Sequence, residues 1–329
     1  MSAPTAPAAD STPADQREPQ ITLCPTASID GLITPLEEGR VPVLDRGFLY
    51  GDSVYEVFRT YDGVPLFWRE HLDRLERSAG LIHMPIAQSR DQLMSDIRKA
   101  VAAAGGGPSD DGSGEVYVRF HLSRGVGPVD LFADPRLRTS QMIIVKPVPQ
   151  WKAEHREVGL RVAVTRVRRN STDALSPNIK SGNYLNNILG LSEAVELGAD
   201  DCLMLNAAGH VTEASNSNAF FVIGDRVVTP ADSCGNLRGI TGEALRTIGR
   251  AGGWPIEERE LTVEDLATAD EAFVTSATRE VMPIAAIRLP GGEWRELPPG
   301  GGPRTRAAAA GYRDHIAGYV EQNADARLW

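Results

Sequence analysis

Lysine is scarce in this chain: besides Lys180 only Lys99, Lys146 and Lys152 occur, against many arginines. Lys180 lies in the run Ser176-Pro-Asn-Ile-Lys-Ser-Gly-Asn-Tyr184. Pro177 forces an extended approach, and Ser181, Gly182 and Asn183 let the backbone turn. Leu185, Ile188, Leu189 and Val195 then recur at helical spacing until Gly198 ends the run. The pattern predicts a lysine on a fixed turn at the mouth of a buried helix. A desolvated amine there sheds its proton and attacks carbonyls, which a guanidinium cannot do. The plain alternative is a solvated lysine at a helix start.

Other residues carry complementary chemistry. Arg238-Gly-Ile-Thr-Gly242 opens a helix, and free N–H groups, the helix dipole and a hydroxyl there make an anion site. Simple capping by Thr241 is the alternative. His71 and Arg74 share a helix face, and Arg74 can hold a phosphate in a planar fork; a solvated helix side has the same pattern. Glu213, in a run of small polar residues, can pair with a protonated ring nitrogen or be an ordinary strand residue. Tyr55, Arg59, Tyr117, Arg119 and His121 occupy the non-core faces of two strands, which suits a carboxylate substrate or a wet sheet face. A nucleophilic lysine, an arginine with a helix terminus, and a carboxylate for a pyridine nitrogen are together what pyridoxal 5′-phosphate (PLP) requires.

The elements that must position these groups read as mixed strands and helices. Ser53 to Tyr61 alternates as a strand, with Val54, Glu56, Phe58 and Thr60 on the face opposite Tyr55. Asp62-Gly63 is a hairpin turn. Helices follow over Arg69–Gly80, with Leu72, Leu75 and Ala79 inward, and over Ser89–Ala104. Glu115–Ser123 and Gln141–Val145 are strands, and Gly105–Gly114 is a loop between elements. Further strands are expected at Gly159–Arg166, Asp201–Leu205, Val211–Ala214, Ala219–Ile223, Val227–Val228 and Phe273–Thr275. Helices are expected from Leu237-Arg-Gly-Ile-Thr-Gly242 to Gly252 and over Thr305–Asn323. The class is α+β in two domains: a small one over 21–146, a linker over 147–155 headed by Pro147-Val-Pro149, and a larger one over 156–329.

The chain has 329 residues and a net charge of −10, which argues against nucleic-acid and anionic-membrane partners. No apolar run reaches transmembrane length. Residues 1–20 are rich in Ala, Pro, Ser, Thr and Asp and are expected to form a disordered tail. Cys24, Cys202 and Cys234 are scattered without metal-type spacing, so no metal is expected and a reducing, cytoplasmic compartment is.

The order of motifs resembles the class IV (fold type IV) PLP-dependent aminotransferases, which include branched-chain and D-amino-acid aminotransferases and aminodeoxychorismate lyase. The resemblance runs from about Ile29 to Pro283. It rests on Arg46-Gly-Phe-Leu-Tyr-Gly-Asp-Ser-Val-Tyr-Glu56, Glu70-His-Leu-Asp-Arg-Leu75, Asn178-Ile-Lys-Ser-Gly-Asn-Tyr-Leu185, Val211-Thr-Glu-Ala-Ser-Asn-Ser-Asn-Ala-Phe220 and Leu237-Arg-Gly-Ile-Thr241. It implies a small domain followed by a larger one with a mixed, barrel-like sheet, and a homodimer with the site between the domains. It implies that Lys180 carries PLP as an imine, Glu213 pairs with the pyridine nitrogen, and Tyr184 meets the phenolate oxygen. Arg74, Ile240 and Thr241 would hold the phosphate, with Ser276 or Thr278 replacing a threonine where Ala277 stands. Tyr50, Tyr55, Arg59, Tyr117 and Arg119 would meet the substrate. Tyr117-Val-Arg119 is similar to the Tyr-x-Arg of branched-chain enzymes, and the Arg-x-His trap of D-specific enzymes is missing after Ser123-Arg-Gly125. The implied reaction is ping-pong amino transfer between an amino acid, most simply an L-branched-chain one, and a keto acid such as 2-oxoglutarate. D-amino-acid or (R)-amine transamination, lyase activity and a PLP-free binding module are the alternatives.

Overall fold

The computed structural model describes residues 23–108 and 114–329; the expected N-terminal tail lies outside them. The first half contains β1 (Thr26–Ile29), β2 (Leu32–Pro35), α1 (Arg46–Tyr50), β3 (Ser53–Tyr61), β4 (Val64–Pro65), α2 (Trp68–Leu81), α3 (Arg90–Ala104), β5 (Val116–Ser123) and β6 (Ser140–Pro147). The strands form one antiparallel sheet in the order β2-β1-β6-β5-β3-β4. Asp62 and Gly63 both adopt positive φ, as a type I′ hairpin turn requires. Leu72, Leu75 and Ala79 of α2 are buried in one core with Val54 and Phe58 of β3 and Val116, Val118 and Phe120 of β5, as their spacing predicts. Ser89 caps α3 by accepting the Gln92 N–H at 3.2 Å.

The second half contains α4 (Ala153–Glu157), β7 (Leu160–Arg168), α5 (Leu185–Glu196), β8 (Asp201–Leu205), β9 (Val211–Ala214), β10 (Asn218–Ile223), β11 (Arg226–Pro230), α6 (Ile240–Ala251), β12 (Ile256–Arg259), α7 (Val263–Thr268), β13 (Glu271–Ser276), β14 (Glu280–Arg288), β15 (Trp294–Glu296) and α8 (Pro303–Gln322). Its sheet runs β12-β11-β10-β13-β14-β7-β8-β9, with β15 on β14. It is mixed: β11–β12, β14–β7 and β7–β8 are parallel. Cores lie on both of its faces. The cores share segments across the halves, since Leu66 and Phe67 join the core under α6 and α8 while Leu328 joins that of α2 and α3. Among the described residues no helix is long and apolar enough to cross a membrane.

The structure corrects one reading of the sequence and adds two elements to it. The helix after Lys180 is not buried by its leucines: Leu185, Ile188, Leu189 and Val195 are between 51% and 68% exposed. The buried face of α5 is Asn187, Gly190 and Ala194. A Cβ on Gly190 would lie 3.1 Å from Met204 Sδ and 3.3 Å from Cys202 Sγ. The close approach to β8 admits only small side chains, so the large ones turn outward. Residues 46–50, which no expected element covered, form a short helix because the Asp45 carboxylate accepts the Gly47 and Phe48 N–H groups and Gly51 ends it in the left-handed region. β14 was not among the expected strands, and it carries Pro283 in its interior, where proline is uncommon. The ladder accommodates it beside an irregularity between Ile284 and Ala286.

Leu75 seats α2, which carries Arg74. Leu75→Ala is expected to cost about 2–5 kcal/mol, read as a lower urea midpoint at unchanged slope; unchanged stability would contradict the packing described.

Candidate active site

The Lys180 segment is stitched onto the edge of β3. Tyr55 N donates to Lys180 O at 3.0 Å and Gly182 N donates to Ser53 O at 3.1 Å, making an antiparallel bridge between Val54 and Ser181. Lys180 N donates to Ser78 Oγ of α2 at 3.1 Å. The approach at Gly182 is close: a Cβ there would lie 2.5 Å from Ser53 Oγ, so the serine hydroxyl would have to turn away. Three backbone contacts thus fix the lysine between the two halves of the chain. Its Nζ donates to Tyr184 Oη at 3.3 Å and stands 4.6 Å from the Tyr55 ring centroid. Burial would raise the Tyr184 hydroxyl, but the Lys180 ammonium and Tyr55 outweigh it and pull it below its ordinary value.

Lys180 opens into a cavity of about 500 Å³ whose walls come from both sheets. At one end Glu213 is 6% exposed. Its Oε1 pairs with Arg169 Nη2 at 2.8 Å, and its Oε2 accepts Leu237 N at 3.1 Å. Burial pushes its carboxyl above the ordinary carboxylate range, against the opposing pull of Arg169. Glu213 is therefore a cavity wall residue and not an exposed strand position.

At another end stands the N-terminus of α6. Its N-cap is Gly239, not Thr241, and no side chain caps it, so the capping alternative for Thr241 fails. A Cβ on Gly239 would lie 1.9 Å from Asn218 Oδ1, which leaves bare backbone facing the cavity. Thr275 Oγ1, also on the wall, is buried without a hydrogen-bond partner. Arg74 is buried rather than solvated. Its Nε and Nη2 donate to Glu56 at 2.7 and 2.8 Å, and its Nη1 donates to Arg238 O at 3.0 Å. His71 Nδ1 lies 2.6 Å from the same Glu56. An uncapped helix terminus, a guanidinium and an orphaned hydroxyl form a donor set that fits a phosphate.

The sheet face of the first half supplies the remaining wall. Tyr55, Tyr117 and Arg119 line the cavity, as do Ser276, Ala277 and Thr278. The Arg119 guanidinium lies 3.7 Å from the Tyr55 ring centroid. His121 stacks on Tyr55 at 6.0 Å, and burial with the nearby Arg119 charge lowers it to about 4. Two expected residues are placed elsewhere. Tyr50 lies under Arg46, 5.0 Å from its guanidinium carbon, and Arg59 is paired with Glu280 at 3.1 Å; neither is on the cavity wall.

The sequence signature of the family described as amino-transferase class IV matches residues 53–287. The chain belongs to the class IV aminotransferases. A putative branched-chain-amino-acid aminotransferase of Methanocaldococcus jannaschii is 33% identical over 261 residues, covering 79% of this chain and 86% of that one. A D-alanine aminotransferase of Listeria monocytogenes is 32% identical, covering 76% and 83%. The crystal structure of the branched-chain aminotransferase from Thermoproteus uzoniensis with norvaline superposes with a TM-score of 0.79 at 32% identity, covering 90% of this chain and 96% of that one.

In this class IV aminotransferase the sequence reading missed two cavity residues, Arg169 and Trp151, and the role of Glu56 behind the wall. Arg169, the partner of Glu213, directly follows β7, whose last residues already include Arg166 and Arg168, and carries no local signal. Trp151 comes from the connecting segment and donates its Nε1–H to Thr278 O at 3.0 Å. Glu56 was readable only as a core-facing position of β3, yet it holds both His71 and Arg74. Burial alone would raise the Glu56 carboxyl; the Arg74 guanidinium and His71 outweigh it and hold it well below its ordinary value of 4.5. A carboxylate depressed in this way contributes stability in full above that value and loses it as pH falls below it. Glu56→Gln leaves Arg74 buried and unpaired and is expected to cost about 3–5 kcal/mol at neutral pH. It is also expected to flatten the acid limb of a stability–pH curve; an unchanged acid limb would contradict the role given to Glu56.

Proposed function

We propose that this aminotransferase moves an amino group between an L-branched-chain amino acid and a 2-keto acid such as 2-oxoglutarate, with PLP held in the cavity. The observation that carries the reading is Lys180 Nζ in a cavity that also exposes buried Glu213 and the uncapped N-terminus of α6. PLP, when bound, supplies an electron sink and a carrier for the amino group. The protein does the rest. Glu213 offers a carboxylate to a protonated ring nitrogen. Arg74, the Ile240 and Thr241 N–H groups and Thr275 Oγ1 offer donors to a phosphate, with Ser276 and Thr278 beside them. Tyr184, lowered by Lys180, holds a phenolic oxygen. Lys180 carries the proton to and from the substrate Cα as general base and acid. Tyr117 and Arg119 take the substrate carboxylate, and Leu175, Ile179 and Leu191 on the wall suit an apolar side chain.

The same reading extends to assembly. Leu185, Ile188, Leu189 and Val195 on α5 are exposed, as are Val126, Leu131 and Phe132 beyond β5. Apolar surface of this extent marks an interface, and we assign it to a homodimer. The division near residues 147–155 and a reducing cytoplasmic setting complete the proposal.

The test is turnover. Loaded with PLP, the enzyme is expected to be yellow and to transaminate L-leucine faster than D-alanine; the reverse preference would favour D-amino-acid transamination. Lys180→Ala is expected to lower kcat by about 10²–10⁴-fold, with partial rescue by added methylamine; retained turnover would overturn the assignment.

A further inference from the structure

A short turn, Ala277 to Arg279, joins β13 to β14. Ala277 and Thr278 line the cavity, and among the described residues neither gives its N–H to an acceptor in the protein. Thr275, just before the turn, stands opposite Asn218 in the β10–β13 ladder, and Asn218 abuts Gly239 at the start of α6. The turn therefore begins beside the anion-ready end of the cavity. It is followed by Glu280 at a φ of 59°, a left-handed backbone that favours glycine. Such a residue persists only where its surroundings hold it, and here they do so from two sides. Toward the first half, Glu280 Oε1 accepts Tyr61 Oη at 2.9 Å and pairs with Arg59 Nη1 at 3.1 Å. Toward the second half, Arg279 passes behind the cavity wall and is buried with Asp201. Its Nη1 donates to Asp201 Oδ2 and, at 3.1 Å, to Ser217 Oγ. Asp201 Oδ1 in turn accepts Cys202 N at 2.7 Å and Ser215 N at 3.1 Å. The Arg279 guanidinium carbon lies 4.9 Å from the centroid of Trp151, whose Nε1 donates to Thr278 O. Arg279 is not on the wall itself, but its contacts tie the turn to wall residues Ser215, Ser217 and Trp151.

We infer that Arg279 is a positioning residue: it holds this turn so that the Ala277 and Thr278 N–H groups meet an anionic group in the cavity, the phosphate of the cofactor or the carboxylate of the substrate. The inference rests on the aminotransferase reading of the cavity. Backbone donors favour an anion most when they are aimed before it arrives, and a turn ending in a left-handed glutamate relaxes unless it is held. A buried ion pair is a poor source of net stability, so the pairing of Arg279 with Asp201 acts through orientation. Both of its hydrogen bonds leave from one nitrogen, so the point charge of a lysine can stand in for the planar fork.

The experiment compares the wild type with Arg279→Lys, Arg279→Met and the double variant Asp201→Asn/Arg279→Met. The double variant leaves no buried ion unpaired, and its asparagine keeps an oxygen for the Cys202 and Ser215 N–H groups. The readouts are the urea midpoint of the full chain without cofactor, the PLP Kd from dilution of the holoenzyme, and KM and kcat for L-leucine at saturating PLP. The double variant is expected to keep the wild-type midpoint while PLP Kd or KM rises about tenfold, the loss of roughly one hydrogen bond to a charged group. A raised PLP Kd puts the phosphate at the turn; a raised KM at unchanged kcat puts the substrate carboxylate there. Arg279→Lys is expected to recover most of the lost affinity. Wild-type Kd and KM in the double variant overturn the proposal. So does an affinity that falls only in step with the urea midpoint across the variants, which is what a purely structural ion pair gives. Wild-type protein that binds no PLP would instead sink the underlying aminotransferase reading.

Discussion

The structure depends on a short backbone pairing. Residues 180–182 hydrogen-bond to the edge of β3 through the Tyr55 and Gly182 amides. This pairing brings a segment of the second half into register with the sheet of the first. It places the Lys180 amine between a tyrosine face from β3 and the polar ends of β9, β13 and α6. Side-chain forces alone would leave a lysine free to choose among rotamers and solvent; here its own N–H is spent on Ser78 and its C=O on Tyr55. These contacts hold the Lys180 backbone at one place on the cavity wall.

Around that point the molecule keeps buried charge in closed pairs. Glu56 answers Arg74 and His71, Glu213 answers Arg169, and Asp201 answers Arg279. Ion pairs taken out of water gain little net stability. Their value lies in fixing guanidinium and carboxylate groups in orientations that a ligand then meets without rearrangement. The pairs also sharpen the contrast with groups that no carboxylate answers, namely the Thr275 hydroxyl, the bare start of α6 and the cations over Tyr55 and Tyr117. An overall net charge of −10 therefore coexists with a cavity wall on which Arg74, Arg119, Lys146, Arg169 and Lys180 stand beside the single carboxyl of Glu213.

Much of this was legible in the residues. Period-2 alternation placed Tyr55, Tyr117 and Arg119 together on one sheet face, and helical spacing put Leu72, Leu75 and Ala79 in the core. Glycines flanking Thr241 marked an anion-ready terminus. What the sequence hid was of another kind. Arg169 and Trp151 reach the site through the path of the chain, and no local pattern reports that. Glu56 looked like an oddity on a core-facing strand until its partners on α2 were visible. The leucines of α5 follow a helical period that says they share a face but not which surface that face meets. Gly190 and Ala194 decide that question by packing against β8. Tyr50 and Arg59 shared motifs with true wall residues, yet their own partners, Arg46 and Glu280, hold them elsewhere.

The most direct measurement is covalent. The PLP-loaded protein, reduced with borohydride and digested, should yield a phosphopyridoxyl-bearing peptide that contains Lys180 and none modified at Lys99, Lys146 or Lys152. A label on one of those other lysines, or no label at all, would contradict the placement of the reactive amine.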